Sequence, residues 1–291
     1  MATEVTVGLM HPGSMGAAFA AQLRSKGTTV LWCPTGRSES SRQRAKRASM
    51  KPVALADLVD SVDVLLSLCP PAAAEDVAAQ AAAHGFCGTY VEANAITPHR
   101  VRNVAERLRN AVVVDGAVVG SPPVDGKSPT LYLAGPREEV DRLEDLFAGT
   151  DVQTHQLGDD IGKASALKLA YSSYQKASRV LAAVAYGLAD ANDVSDELIH
   201  IASKRTGSYL TETGYIPKTV SRAWRWAPEL EDAADLLDET GLPGHLMRAA
   251  AEVLHSWDEA RDTTLTISEA LALLHDGSGT SETTVGQEPA P

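Results

Sequence analysis

Apolar residues in the first half of the chain come in short runs separated by longer, Ala-rich segments. Val5-Thr6-Val7-Gly8-Leu9-Met10, Thr28-Thr29-Val30-Leu31-Trp32-Cys33, Val62 to Leu68, Thr89-Tyr90-Val91-Glu92 and Val112-Val113-Val114-Asp115 are runs of this kind. Such runs read as buried strands and the intervening segments as helices. Strands that alternate with helices predict a parallel sheet covered on both faces. Thr130 to Gly135 and Val152 to His155 add two shorter strands that finish the sheet. From Gly162 onward the strand pattern stops. Ala164 to about Asp190 runs without proline and is apolar on several faces, which predicts a long, buried central helix, and further helices are expected at Ser195–Lys204, Pro228–Glu239 and His245–Arg261.

The first strand runs into His11-Pro12-Gly13-Ser14-Met15-Gly16, and an amphipathic Ala-rich segment follows. Strand, tight glycine turn and helix in that order describe a dinucleotide-binding turn. Its glycines let backbone N–H groups approach a pyrophosphate held at the positive end of the next helix. His11 occupies the first of the three glycine positions, and Pro12 stiffens the turn. The fold class expected is therefore α/β: an N-terminal Rossmann-type doubly wound parallel sheet plus an all-α C-terminal domain with a long central helix. The boundaries expected are 1–157 for the nucleotide-binding domain, 158–275 for the helical substrate and dimerisation domain, and 276–291 for a polar, disordered tail.

The end of the second strand bears on the cofactor. An NAD site usually places a carboxylate there for the ribose 2′-OH. Here Cys33 leads into Pro34-Thr35-Gly36-Arg37-Ser38, with Arg42, Arg44, Lys46 and Arg47 behind. A guanidinium and two hydroxyls suit a 2′-phosphate, so NADP(H) is the expected cofactor, with Thr35, Arg37 and Ser38 beside its phosphate.

A net charge of −12 over 291 residues argues against a nucleic-acid partner. Cys33, Cys69 and Cys87 lack metal-ligand spacing and lie in or beside strand-like runs, so they read as reduced, buried thiols. No metal site, secretory leader or membrane span is expected, and a cytoplasmic location follows. The long apolar helix needs more cover than a small domain offers, which predicts a homodimer.

In this order the pieces resemble the β-hydroxyacid dehydrogenase and 6-phosphogluconate dehydrogenase superfamily, over residues 5 to about 260. Met10-His11-Pro12-Gly13-Ser14-Met15-Gly16 stands where that family has G-L-G-x-M-G. Leu68-Cys69-Pro70-Pro71 stands at its nicotinamide-bordering strand end, and Glu92-Ala93-Asn94-Ala95 at another cofactor contact. The resemblance implies cofactor contacts from Met10, His11, Pro12, Gly13, Ser14, Met15, Cys69, Pro70 and Asn94. The family's substrate loop D-x-P-V-S-G-G aligns with Asp115 to Ser121, where Val119 replaces the serine, Gly120 keeps the glycine and Ser121 carries the hydroxyl. Its G-x-G-x-x-x-K-x-x-N segment aligns with Gly162 to Tyr171, placing Lys168 on the catalytic lysine and Tyr171 on the asparagine. A subgroup with a poorly characterised helical C-terminal domain is closest, through Ala164 to Lys168, Tyr174-Gln175-Lys176 and Arg225 to Glu231.

The resemblance implies an NADP-dependent oxidoreductase acting on a small polar carbonyl/alcohol pair, with Lys168 as general acid/base. Asn94, Gly120, Ser121 and Tyr171 would hold the small-molecule substrate, and Tyr174 and Trp226 would shape its pocket. Two alternatives stand beside it: an imine reductase of the same architecture, and a non-catalytic NADP(H)-binding sensor.

Overall fold

The computed structural model describes residues 5–204, 207, 213–261 and 263–276. The first part of the chain alternates strand and helix. The elements are β1 (Thr6–Leu9), α1 (Ser14–Ser25), β2 (Thr29–Trp32), α2 (Glu39–Arg47), β3 (Lys51–Pro52), α3 (Leu55–Ser61), β4 (Val64–Ser67), α4 (Ala74–Ala83), β5 (Thr89–Glu92), α5 (Pro98–Arg107), β6 (Val112–Val119), β7 (Thr130–Ala134), α6 (Arg137–Phe147) and β8 (Gln153–Gln156). The strands form one sheet in the order β3-β2-β1-β4-β5-β6-β7-β8. Every pairing is parallel except β6 with β7. Because β1 lies between β2 and β4, the strand order reverses at its carboxyl end, where a crevice opens in folds of this kind.

Both faces of the sheet are apolar, and the two-residue period of each strand divides its side chains between them. Val64, Leu66, Val91 and Val114 join one layer with Phe19, Leu23 and Phe147. Leu65, Tyr90 and Val113 join the other with Leu58, Val77, Phe86 and Leu108. The doubly wound sheet expected from the run pattern is therefore present. β6 is longer than its apolar run suggested and continues through the segment read as a substrate loop as far as Val119. β3 escaped detection because two exposed residues carry no pattern.

The chain divides into two compact units, Met1–Tyr174 and Gln175–Pro291, and the boundary falls inside α7 (Lys163–Ala191). The second unit is helical among the described residues: α8 (Ser195–Ala202), α9 (Ile216–Val220), α10 (Ala223–Glu239), α11 (His245–His255) and α12 (Ile267–Asp276). Its core joins Val220, Ala223, Ala227, Ala251, Leu254, Trp257 and Ala270, and Trp257 Nε1 donates to Ala270 O at 2.9 Å. α10 begins five residues before Pro228 and carries that proline inside it. Asp276, expected in the tail, is the last residue given for α12, and 277–291 lie outside the described residues.

Within the single chain α7 exposes Leu167, Tyr171, Leu181 and Tyr186, apolar surface of the kind for which a second copy was expected. One expectation needs correction. The cysteines differ from one another: Cys33 is buried, Cys69 half-buried and Cys87 exposed, because Cys87 lies in the turn before β5 rather than in the strand.

Candidate functional site

At the carboxyl end of β1, Met10 turns into the core, and the chain reverses through His11-Pro12-Gly13, with Gly13 N–H donating to His11 O at 2.8 Å. Gly13 caps α1 and offers no side chain to the first-turn N–H groups, which remain for a ligand. Its φ of −67° would suit any residue, and a Cβ there would meet nothing within 4 Å. Open space in front of uncapped amides is what a docked phosphate needs. Gly16 is required for packing instead, since a Cβ on it would lie 2.9 Å from His11 O.

Helix α2 closes over this turn. Its N-cap Ser38 accepts from Ser41 N–H at 3.3 Å. Arg44 Nε donates to Pro12 O at 2.9 Å and Nη2 to Ser41 Oγ at 3.0 Å, so a helix arginine reaches back to the turn. Arg37 Nη1 donates to His11 Nε2. Burial, reinforced by the Arg37 charge, lowers the His11 pKa to about 4, so the ring is neutral at physiological pH.

The ends of β4 and β5 have a different character. Ser67, Glu92 and Asn94 are buried. Asn94 Nδ2 donates to Ser67 Oγ at 2.9 Å and to Glu92 Oε1, Asn94 N–H donates to Glu92 Oε1 at 3.1 Å, and Cys69 N–H donates to Asn94 Oδ1 at 2.6 Å. Burial raises the Glu92 pKa to about 7 against the pull of Asn94. Burial, with Glu92 adding to it, raises Cys69 to about 11, so this thiol is no nucleophile at neutral pH.

A third junction sets the lysine. Asp115 on β6 has no exposed surface and accepts from Gly162 N–H at 2.8 Å, Ser165 N–H at 3.0 Å and Ser165 Oγ at 2.6 Å. A carboxylate from the sheet thus caps the first turn of α7. Burial raises its pKa, while the bonds from Ser165 and Gly162 oppose that shift. One turn on, Lys168 Nζ donates to Val118 O at 2.7 Å, so β6 holds both the start of α7 and its lysine.

These parts enclose a cavity of about 500 Å³. Of the residues expected from sequence, His11, Gly13, Ser14, Met15, Cys69, Pro70, Asn94 and Lys168 line it. Pro12 contributes through its carbonyl to Arg44, whereas Met10 is core. Thr35 and Ser38 are exposed outside the lining, and Arg37 is engaged with His11. Gly120 and Ser121 are also exposed outside it. Gly120 has φ +124°, and a Cβ there would sit 2.9 Å from Pro129 Cα, which explains the glycine without a ligand. Tyr171 is exposed and Tyr174 half-buried, and neither lines the cavity. Trp226 belongs to the second unit, where the Arg222 guanidinium lies 5.8 Å from its ring centroid. Sequence reasoning missed Ser41, Arg44, Val118 and the Glu92 network. The basic run containing Arg44 was visible, but which face it turns inward was not. Among the described residues no group of three metal-ligating side chains occurs, and no helix is long and apolar enough to cross a membrane.

The chain is similar to several known proteins. Residues 6–91 match the family described as NADP oxidoreductase, coenzyme F420-dependent, and residues 189–257 match a domain of unknown function, DUF1932. The resemblance to the β-hydroxyacid dehydrogenase superfamily holds. An uncharacterised 28.5 kDa protein of Methanothermus fervidus is 25% identical over 202 residues, 69% of this chain and 77% of its own. Among solved structures, a conserved protein of unknown function described as structurally similar to 3-hydroxyacid dehydrogenases is 24% identical, with a TM-score of 0.58 over 93% of this chain and 99% of its own. A reductive aminase from Aspergillus terreus, in complex with NADPH and ethyl levulinate, is 20% identical with a TM-score of 0.71 over the same shares. The likeness to these solved structures shows the fold. The match over 6–91 covers β1 to β5 of the sheet domain, the part that carries the glycine turn.

Proposed function

We propose that this protein is an NADP-dependent oxidoreductase acting on a small polar carbonyl/alcohol pair, with Lys168 as the proton donor and acceptor. One observation carries the reading: Lys168 lines the same cavity as Gly13, Ser14, Arg44 and Asn94. The uncapped start of α1 and the open space at Gly13 fit a pyrophosphate, and Arg44 with Ser41 fits a 2′-phosphate, with Arg37 beside them. When bound, the nicotinamide supplies or takes up the hydride. The chain's own part is to place the reacting carbon and to move the proton. Asp115 holds the first turn of α7 and Val118 O holds Lys168 to β6, and the Lys168 ammonium gives a proton to the carbonyl oxygen as charge develops there.

Lys168→Ala is expected to lower turnover about a thousandfold while leaving NADPH affinity within about threefold. Unchanged turnover would remove Lys168 from the chemistry. A carbonyl panel run with NADPH, NADH and reduced coenzyme F420 identifies the hydride carrier.

Imine reduction is the second reading, favoured by Tyr171 in place of the family's asparagine and by the likeness to a reductive aminase. Cyclic imines turned over faster than any keto acid would put it first. The homodimer is proposed on exposed apolar side chains in the second unit, Leu181, Tyr186, Val194, Ile199 and Ile201, and sedimentation of the full chain tests it.

A further inference from the structure

Beneath one end of the cavity lies a carboxylic acid that the proton transfer does not use. Glu92 has no exposed surface and is engaged at one oxygen only: Oε1 accepts from Asn94 N–H and from Asn94 Nδ2, while Oε2 has no partner. Backbone N–H groups can only donate, and this settles two orientations together. Cys69 N–H faces one side-chain atom of Asn94, so that atom is the oxygen and the other the nitrogen. Asn94 N–H faces Glu92 Oε1, so any proton the acid carries sits on Oε2. Both N–H bonds of Asn94 Nδ2 are then used, on Ser67 Oγ and Glu92 Oε1. All that Asn94 has left for a ligand is a lone pair on Oδ1, and Asn94 lines the cavity.

We propose that Glu92 is a positioning residue that fixes the Asn94 carboxamide with its oxygen toward the ligand, so that this position selects an N–H donor, the carboxamide of the nicotinamide ring, and disfavours an anionic oxygen. The proposal deepens the cofactor reading above and rests on it. Without Glu92 the Asn94 amide keeps only Ser67 and Cys69, and its two faces become closer in energy. A substrate carboxylate gains nothing at this position, because a lone pair would face it. Burial holds Glu92 neutral through the acidic range, which makes glutamine its close mimic.

The test compares NADPH with reduced 3-acetylpyridine adenine dinucleotide phosphate, in which a methyl group replaces the carboxamide nitrogen. Fluorescence titration of the full chain is expected to show wild type binding the analogue about tenfold more weakly. Glu92→Gln is expected to keep that ratio, while Glu92→Leu and Asn94→Leu bring it toward one. Circular dichroism confirms that each variant is folded. The ratio is insensitive to a general loss of stability, and side-chain amide NMR supplies a readout without cofactor. The Asn94 NH2 protons are expected to exchange slowly in wild type and Glu92→Gln and fast in Glu92→Leu. Equal binding of the two nucleotides by wild type, or an unchanged ratio in Glu92→Leu, overturns the proposal. Failure to bind either nucleotide overturns the cofactor reading instead.

Discussion

The two ends of the cavity are built on opposite principles. At the β1 and β2 end, Ser14 is exposed, Ser41 and Arg44 are half-buried, and the first-turn N–H groups of α1 have no side-chain cap. At the β4, β5 and β6 end, Ser67, Glu92, Asn94, Asp115 and Ser165 are buried and bonded mostly to one another. The first end offers positive charge to an incoming anion and costs little to desolvate. The second has been desolvated by folding, and its bonds define the direction each ligand-facing atom takes. On the proposed reading affinity is concentrated at one end and geometry at the other, so substitutions at the two ends should fail differently.

The largest expected effect is on stability at the buried end. Asp115→Ala leaves Gly162 N–H, Ser165 N–H and Ser165 Oγ without their acceptor and should cost about 4 kcal/mol of unfolding free energy by urea titration. A loss below about 1 kcal/mol would show that the cap is dispensable and would blur the contrast between the ends.

Next comes Glu92. Folding raises its pKa from 4.5 to about 7, so the native state holds this proton more tightly than the unfolded chain does. The stability this contributes is complete below about pH 4.5 and is lost as pH rises to about 7. Glu92→Gln should therefore exceed wild type above pH 7, by up to about 3 kcal/mol, and the gap should close toward pH 4.5. Parallel pH profiles for the two proteins would contradict a buried acid that titrates.

At the basic end the effects fall on binding. Arg44→Ala should weaken NADPH binding about thirtyfold, leave NADH binding within about twofold and hardly change the melting temperature. Equal losses for both nucleotides would move Arg44 from the 2′-phosphate to the turn it bonds at Pro12 O. Ser41→Ala should cost the smallest amount, about threefold in NADPH affinity.

Parts of this arrangement were legible in the sequence because they depend on local order. The glycine turn after a short apolar run pointed to Gly13, Ser14 and Met15, and the family resemblance over Gly162 to Tyr171 pointed to Lys168, all of which line the cavity. Arg44 was visible only as one of a basic run, since its partner Pro12 is 32 residues away and helix phase decides which of several arginines turns inward. Asp115 carried a motif position, but its capping of a helix 50 residues later needs the strand order to be known. The apolar faces of α7 asked for more cover than one small domain offers, and Leu181 and Tyr186 are exposed in the single chain; periodicity reports that a face wants cover and not which surface supplies it.

The most direct measurement is titration of the purified full chain with NADPH and NADH, followed by nucleotide fluorescence, with Arg44→Ala and Arg37→Ala alongside. NADPH binding at least tenfold tighter than NADH, with the preference lost in Arg44→Ala, is the expected result. Binding of neither nucleotide would contradict a dinucleotide site at the glycine turn and the oxidoreductase reading built on it.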